Sequence, residues 1–462
     1  MKFSLARFLT FALTALVIIL ISTRVYAQAP NFLWAKQGGG NSDDVARGVT
    51  VDRIGNAIVT GSFKGRAYLD SEEIISAGLT DIFVAKYGNQ GDVRWVKRFG
   101  AEGRDFAFDI VDADRQGNSF VTGLFSNSVA FDKFTLRSIG SGDMFTAKID
   151  PSGRVIWAKQ AGGLDIDSGN EIVADSSGNA LVIANTYGTV KVEDVVLNHQ
   201  GKQDVFVTKY DPNGNFLWAK QIAGAGEERG RGIAADEQNN VLTTGEFTGL
   251  LSFGSQKVES ASNFRDIFLA KYDASGNLLW TKSFGSTGED YGRGIGTDAA
   301  GNIYFSGVFS GSVKFGNKTI NSIGGSKDIF LAKTDASGNV LWVRQMGGSG
   351  ADEGCEIEVD KAGNSYISGE FPGSATLEST VLKSAGFRDM FIAKYSPQGK
   401  LIWVKQAGGE GDDVNYAIAL DAVAKVTVVG TFRGNASFGN FALRDSNRSA
   451  AFFAAQLSAA RN

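Results

Sequence analysis

The residues of this sequence best suited to chemistry are acids that return at a fixed step: Asp44, Asp105, Asp167, Glu228, Asp290, Asp352 and Asp413. Each stands ten residues after a tryptophan, and Asp43, Glu227, Glu289 and Asp412 place a second acid just before. Carboxylates gathered around one axis repel each other, which favours a bound cation or raised pKa values. An oxygen-rich ring of this kind suits Ca2+ or Mg2+, so Ca2+ is the cofactor to expect if the acids face one another. Alternatively, each carboxylate accepts backbone N–H groups of its own loop or of the neighbouring unit. A second acidic set, Asp81, Asp143, Asp204, Asp266, Asp328 and Asp389, precedes a strand phenylalanine, fails only at Ala451, and reads as structural. His199 and Cys355 are the sole histidine and cysteine, which removes most of the usual general-base and metal-ligand repertoire and any internal disulfide.

These acids take their register from Trp34, Trp95, Trp157, Trp218, Trp280, Trp342 and Trp403, spaced 61 or 62 residues apart. A fixed period is the signature of a repeat architecture. Each tryptophan has apolar neighbours and a base two residues on, from Lys36 to Lys405. Stacking on sugars is one use for such a row; seven identical placements point instead to packing between repeats. The bases, with Lys86, Lys148, Lys209, Lys271, Lys333 and Lys394 on the preceding strand, are expected to form rows on outer strands. There they would blunt exposed edges or, less simply, bind a polyanion.

Within one unit, Asn277 to Phe284 carries the tryptophan, and a Gly-rich loop then leads to Asp290. The segment Gly292 to Asp298 and the strand Ile303 to Phe309 follow, and Asp328 opens the last strand before the next tryptophan. Two short turns per unit share the form Asp-x-x-Gly-Asn, in which Asp accepts backbone N–H groups and Gly supplies a positive φ. Four antiparallel strands recurring seven times predict an all-β fold, a seven-bladed β-propeller closed radially so that both faces of each sheet are buried. The last unit stops after Ala451 to Gln456, and Asn31 to Gln37 has no unit before it. The N-terminal strand is therefore expected to complete the last blade. Longer connections such as Lys64 to Thr80 and Thr248 to Arg265 differ between units and are expected to form a variable binding face.

Lys2 and Arg7 precede the apolar stretch Phe8 to Ser22, and Val25-Tyr26-Ala27 has the character of a cleavage site, so residues 1–27 read as a signal peptide. Fifteen residues rise only about 22 Å as a helix, short of a ~30 Å hydrocarbon core. Residues 28–462 are then one exported propeller, periplasmic, cell-surface or extracellular, without a membrane span after cleavage and monomeric. The net charge of −4 argues against nucleic acid, whose binding rests on neutralising phosphates.

With these turns, the Asp-[Ile/Met/Val]-Phe-x-[Ala/Thr]-Lys strands and the Gly-rich loops in view, the chain resembles the bacterial seven-bladed β-propeller (SBBP) repeat family from Asn31 to Leu457. The resemblance implies an exported propeller without an assigned reaction, and no catalytic residues carry over. The sequence departs from the pattern at Ala184-Asn185, Lys425, Ala451 and Gln456. The stretch Ala270 to Trp280 is similar to the tryptophan-docking motif of quinoprotein dehydrogenases and to the Asp box of sialidases, with different Asp-to-Trp spacing in both. The expected function is a scaffold binding a protein or glycan through loops on one face. The alternative is a glycoside-active hydrolase or lyase using carboxylates there, although nothing in the sequence selects a catalytic pair.

Overall fold

The computed structural model describes residues 28–445 and 449–459; the expected signal peptide lies outside them. The described chain is all β, and none of it forms a helix long and apolar enough to cross a membrane. Val45–Val51, Ala57–Phe63, Asp81–Tyr87 and Val93–Phe99 pair antiparallel in that order. The order recurs with the sequence period, for example in Tyr291–Thr297, Ile303–Ser310, Lys327–Thr334 and Val340–Gly347. Near the C-terminus, Val414–Leu420, Val426–Phe432 and Ala451–Leu457 form three strands, and the fourth is Phe32–Gly40 from the opposite end. Its register sets Trp34 opposite Gln456 and Gln37 opposite Phe453.

Burial explains the composition of each strand. The second and third strands are buried along their whole length, as in Ala57–Phe63 and Asp81–Tyr87. Strands covered on both faces need near-continuous apolar or small residues rather than alternation. Some of their polar groups bond across the pair: the Thr60, Thr122 and Thr244 hydroxyls donate to the Phe83, Phe145 and Phe268 carbonyls at 2.8–2.9 Å.

The longer connections are not open loops. Each folds back as a small hairpin, such as Ser128–Phe131 with Phe134–Arg137 or Leu250–Phe253 with Gln256–Glu259. Alternate residues turn inward and are buried, Val129 and Phe131 in one, Leu251 and Phe253 in another. Several hairpins extend the last strand of the preceding unit, as Gly38 opposite Leu69 and Ala223 opposite Ser252. Apolar residues at every second position made this possible, so the connections expected as loops are regular structure.

A second expectation is corrected by the third-strand lysines. Lys86, Lys148, Lys209, Lys271 and Lys333 are buried rather than arrayed on an edge. Each pairs with the Asp of the first turn in its own unit, as Lys86 with Asp52 at 2.8 Å, Lys209 with Asp175 at 2.8 Å and Lys333 with Asp298 at 3.1 Å. The ammonium groups of Lys148 and Lys209 also donate to the carbonyls of Pro212 and Ala274 in the following unit, both at 3.2 Å. The tryptophan Nε1 atoms reach the same carbonyls, Trp157 to Pro212 at 3.1 Å and Trp218 to Ala274 at 3.2 Å. Turn glycines lie against the indoles: Gly399 has φ +73°, and a Cβ there would come 2.8 Å from Trp342.

Removing one partner of a buried pair leaves an uncompensated charge. Lys209→Met should therefore cost about 3 kcal/mol in equilibrium urea unfolding. A loss indistinguishable from that of an exposed Lys→Met change would show that the pair does not hold the units.

Candidate functional site

The seven acids of the repeat lie at the heads of the first strands, and all are buried. Their carboxylates accept N–H groups of the loops that precede them or of the segment that ends the second strand. Asp167 accepts from Gly163 at 2.7 Å, Asp352 from Gly348 at 2.8 Å and Asp413 from Gly409 at 2.7 Å. Asp44 accepts from Gly40 at 2.6 Å and Lys64 at 3.0 Å; Asp105 from Ala101 at 3.1 Å; Asp290 from Ser310 at 3.0 Å; Glu228 from Gly224 at 3.3 Å. The second acidic set comes close to the first. Asp328 and Asp352 flank Gly347, where an added Cβ would meet both carboxyl groups within 2.8 Å.

Burial pushes these acids upward, with repulsion from the partner acid adding to it. Asp105, Asp167, Asp290, Asp352 and Asp413 rise to about 7 and Glu228 to about 8. Asp44 rises only to about 6. The second-set position that faces it, in the last unit, is Ala451, whose Cα would lie 3.6 Å from a Cβ on Gly39, beside Asp44. Among the described residues no three of His, Cys, Asp and Glu are grouped so as to hold a metal ion.

The repeat is broken one step further along the same strands. The third residue after the recurring acid is Arg47, Phe108, Asn170, Arg231, Arg293 or Tyr416 in six of the units. All six line one cavity of about 450 Å³, to which the first strand of every unit contributes. Sequence reasoning passed over these positions, although Gly-Arg-Gly-Ile occurs at both Arg231 and Arg293 and Arg-Gly at Arg47. The signal was available in the register, since an identical frame holds dissimilar residues here.

The cavity wall is a lattice of arginines and acids. Arg231 donates to Glu246 at 3.0 Å, Arg293 to Glu353 at 3.1 Å, and Arg229 to Glu227 and Gln203, both at 2.8 Å. Beside it, Arg388 grips Asp412 with two bonds of 2.6 and 2.7 Å and also reaches Glu370. Arg47 is held differently, its guanidinium 4.9 Å from the Tyr416 ring centre and 5.4 Å from that of Phe108. Such cation–π contacts offset part of the lost hydration of a buried cation. Burial, and then the nearby Arg293 charge, nevertheless lower its pKa.

The next residue along lines a narrower space of about 220 Å³, with Asp109, Glu171, Glu356 and Glu358 in its wall. Asp109 accepts the N–H of Ile172 in the following unit at 2.9 Å, and Glu356 accepts that of Ile418 at 3.4 Å. Units with glycine at this position approach more closely: a Cβ on Gly48 would lie 2.8 Å from the Ile110 nitrogen. The acids thus bridge gaps that backbone contact closes elsewhere. Burial raises Asp109 to about 7; burial, then repulsion from neighbouring acids, raises Glu358 to about 7 and Glu171 and Glu356 well above the carboxylate range.

The acids with raised values keep protons in the folded chain that the unfolded chain releases near pH 4. Stability is therefore complete at low pH with respect to these groups and falls as pH rises from about 4 to about 7. The turn acids act oppositely. Burial works against Asp52 and Asp175, but their lysine and asparagine partners hold them below the usual range, so their contribution is lost below about pH 4. Calorimetry across this range should place the highest Tm near pH 4 to 5, with a decline toward pH 8. A Tm that climbs steadily from pH 5 to 8 would contradict the assignment.

Comparison with known proteins extends the fold reading. The SBBP β-propeller repeat model matches residues 156–190. An uncharacterized WD repeat-containing protein of Acanthamoeba polyphaga mimivirus is 24% identical over 464 residues, covering 80% of this chain and 33% of its own length. The regulatory protein FlaEY of Caulobacter vibrioides is 26% identical over 217 residues, 46% of this chain and 22% of its own. The chain thus spans at most a third of these relatives. Quinohemoprotein alcohol dehydrogenase from Comamonas testosteroni aligns with a TM-score of 0.38 at 10% identity, covering 94% of this chain and 77% of that one. On its all-β antiparallel framework, the chain carries at residues 156–190 a match to the SBBP β-propeller repeat.

Proposed function

We propose that the chain is an exported binding scaffold, a seven-bladed propeller whose ring is closed by the N-terminal strand, presenting the mouth of its axial cavity to a glycan or protein ligand. The observation that carries this reading is where the repeat loses its symmetry. Lysine pairs, tryptophans, turn acids and loop acids recur from unit to unit and are consumed in internal bonds. Dissimilar polar and aromatic side chains gather in the cavity wall, where every unit contributes its first strand. A concave cavity of about 450 Å³ is within the size range of ligand sites. The pairing of Phe32–Gly40 with Ala451–Leu457 supports ring closure. The sequence of residues 1–27 supports export. The WD repeat-containing relative is consistent with a role in interaction.

A glycan and peptide array probed with residues 28–462 should yield ligands that are bound and recovered unchanged. A product formed by the wild-type protein and lost in Glu171→Gln or Glu356→Gln would replace the scaffold by the glycoside-active alternative. Mass spectrometry of the protein recovered outside the cytoplasm should find Gln28 at its N-terminus. A chain retaining residues 1–27 there would remove the cleavage assignment.

A further inference from the structure

The charges of the cavity wall do not cancel residue by residue. Arg229, Arg231 and Arg293 each hold a carboxylate at 2.8–3.1 Å. Arg47 has two aromatic rings instead, and its buried Nε finds no acceptor among the described residues. The Nε of Arg231 is buried and likewise unengaged. The acids nearest in the wall, Glu171 and Glu356, are turned to other work: Glu356 accepts the Ile418 N–H and Glu171 that of Ile233. Burial and repulsion favour their protonated forms, so they supply little countercharge. A cation taken from water without a partner is costly, and neither ring supplies a carboxylate to Arg47.

Resting on the scaffold reading above, we infer that this cavity is an oxyanion site, in which Arg47 receives the carboxylate, sulfate or phosphate group of a small organic ligand. The planar fork of a guanidinium matches two oxygens of such a group. With its Cζ 5.4 and 4.9 Å from the Phe108 and Tyr416 ring centres, the Arg47 guanidinium is held in place before a ligand arrives. Orientation set before binding lowers the ordering cost of the complex. Exposed Tyr187, 46% accessible, stands at the cavity wall as an apolar surface for the body of the ligand. At about 450 Å³ the cavity is of the order of one or two rings, the size of a free sugar acid or of the end of a glycan.

Calorimetric titration with glucuronate, glucose 6-phosphate, inorganic phosphate and glucose tests the inference at neutral pH. Glucuronate or glucose 6-phosphate should bind with Kd below about 1 mM, and glucose should not bind. The sugar-borne anion against inorganic phosphate tells whether the ligand body contributes. Arg47→Met, which keeps bulk between the two rings, should weaken the anion by about tenfold or more while leaving Tm within a few degrees. Arg154→Ala, at an exposed turn, should leave affinity unchanged. No anion binding at about 10 mM, or equal binding by wild type and Arg47→Met, would overturn the oxyanion site. Should the array still return an uncharged ligand, this inference alone fails; should it return none, the scaffold reading fails with it.

Discussion

A buried ammonium shared between two acceptors holds this molecule together. In Lys148 and Lys209 the same nitrogen meets a turn carboxylate of its own unit and a turn carbonyl of the next. Burying either charge alone would be prohibitive, and burying both is tolerable only with close geometry and further hydrogen bonds. Those conditions are met because the turn is rigid: Asp175 accepts the N–H groups of Ser177 and Asn179 at 2.9 and 3.0 Å and the Asn179 amide at 2.7 Å. The indole N–H joins the lysine on the carbonyl, so the ion pair inside one unit is also the joint to its neighbour. At the meeting of the chain ends the joint lapses. Gln456 replaces the lysine and bonds Thr427 at 3.1 Å, and the Trp34 and Trp403 N–H groups find no acceptor among the described residues. Strand pairing of Phe32–Gly40 with Ala451–Leu457 joins the ends instead.

One residue type serves two opposite ends in this frame. Aspartates of the short turns are held ionised by lysine and asparagine partners, whereas those at the strand heads are pushed toward the protonated form by burial and an adjacent acid. The difference is environmental, since the side chains are identical. The ionised set fixes turns and joints, and the protonated set packs where the Gly-rich loops enter the first strands. Ala451 is the exception: Asp44 faces it rather than an acid of the second set, and burial, with repulsion from Asp43 and Asp445, raises Asp44 to about 6.

This framework leaves few positions without structural duty. Second and third strands are sealed on both faces, fourth strands carry the joints, and the long connections are folded into hairpins. The inward face of the first strand is free to differ, and there the chain collects Arg47, Phe108, Arg231 and Tyr416. The departure at Asn185 belongs to the same region. Its amide bonds both backbone groups of Gly230 in the next unit, at 2.8 and 3.3 Å, where other units carry glycine.

Periodicity made the strand order and the pairing of the chain ends legible, because one local pattern repeated at a fixed step admits few arrangements. The turn chemistry was legible for the same reason: Asp-x-x-Gly-Asn satisfies its own backbone within five residues. The lysine partners were not, since Lys209 and Asp175 stand 34 positions apart and an alternating pattern cannot say which face of a twice-covered strand is wet. Nor could the sequence tell that the long connections bury alternate residues against a neighbour. The cavity was beyond it for a deeper reason. Arg47, Phe108 and Tyr416 are separated by as much as 369 positions, and only the arrangement of successive units brings a cation between two rings. Sequence determined each unit and its register, which are local bonds; tertiary structure alone decided which charges are matched and which is left for a ligand, because that balance depends on neighbours from every unit at once.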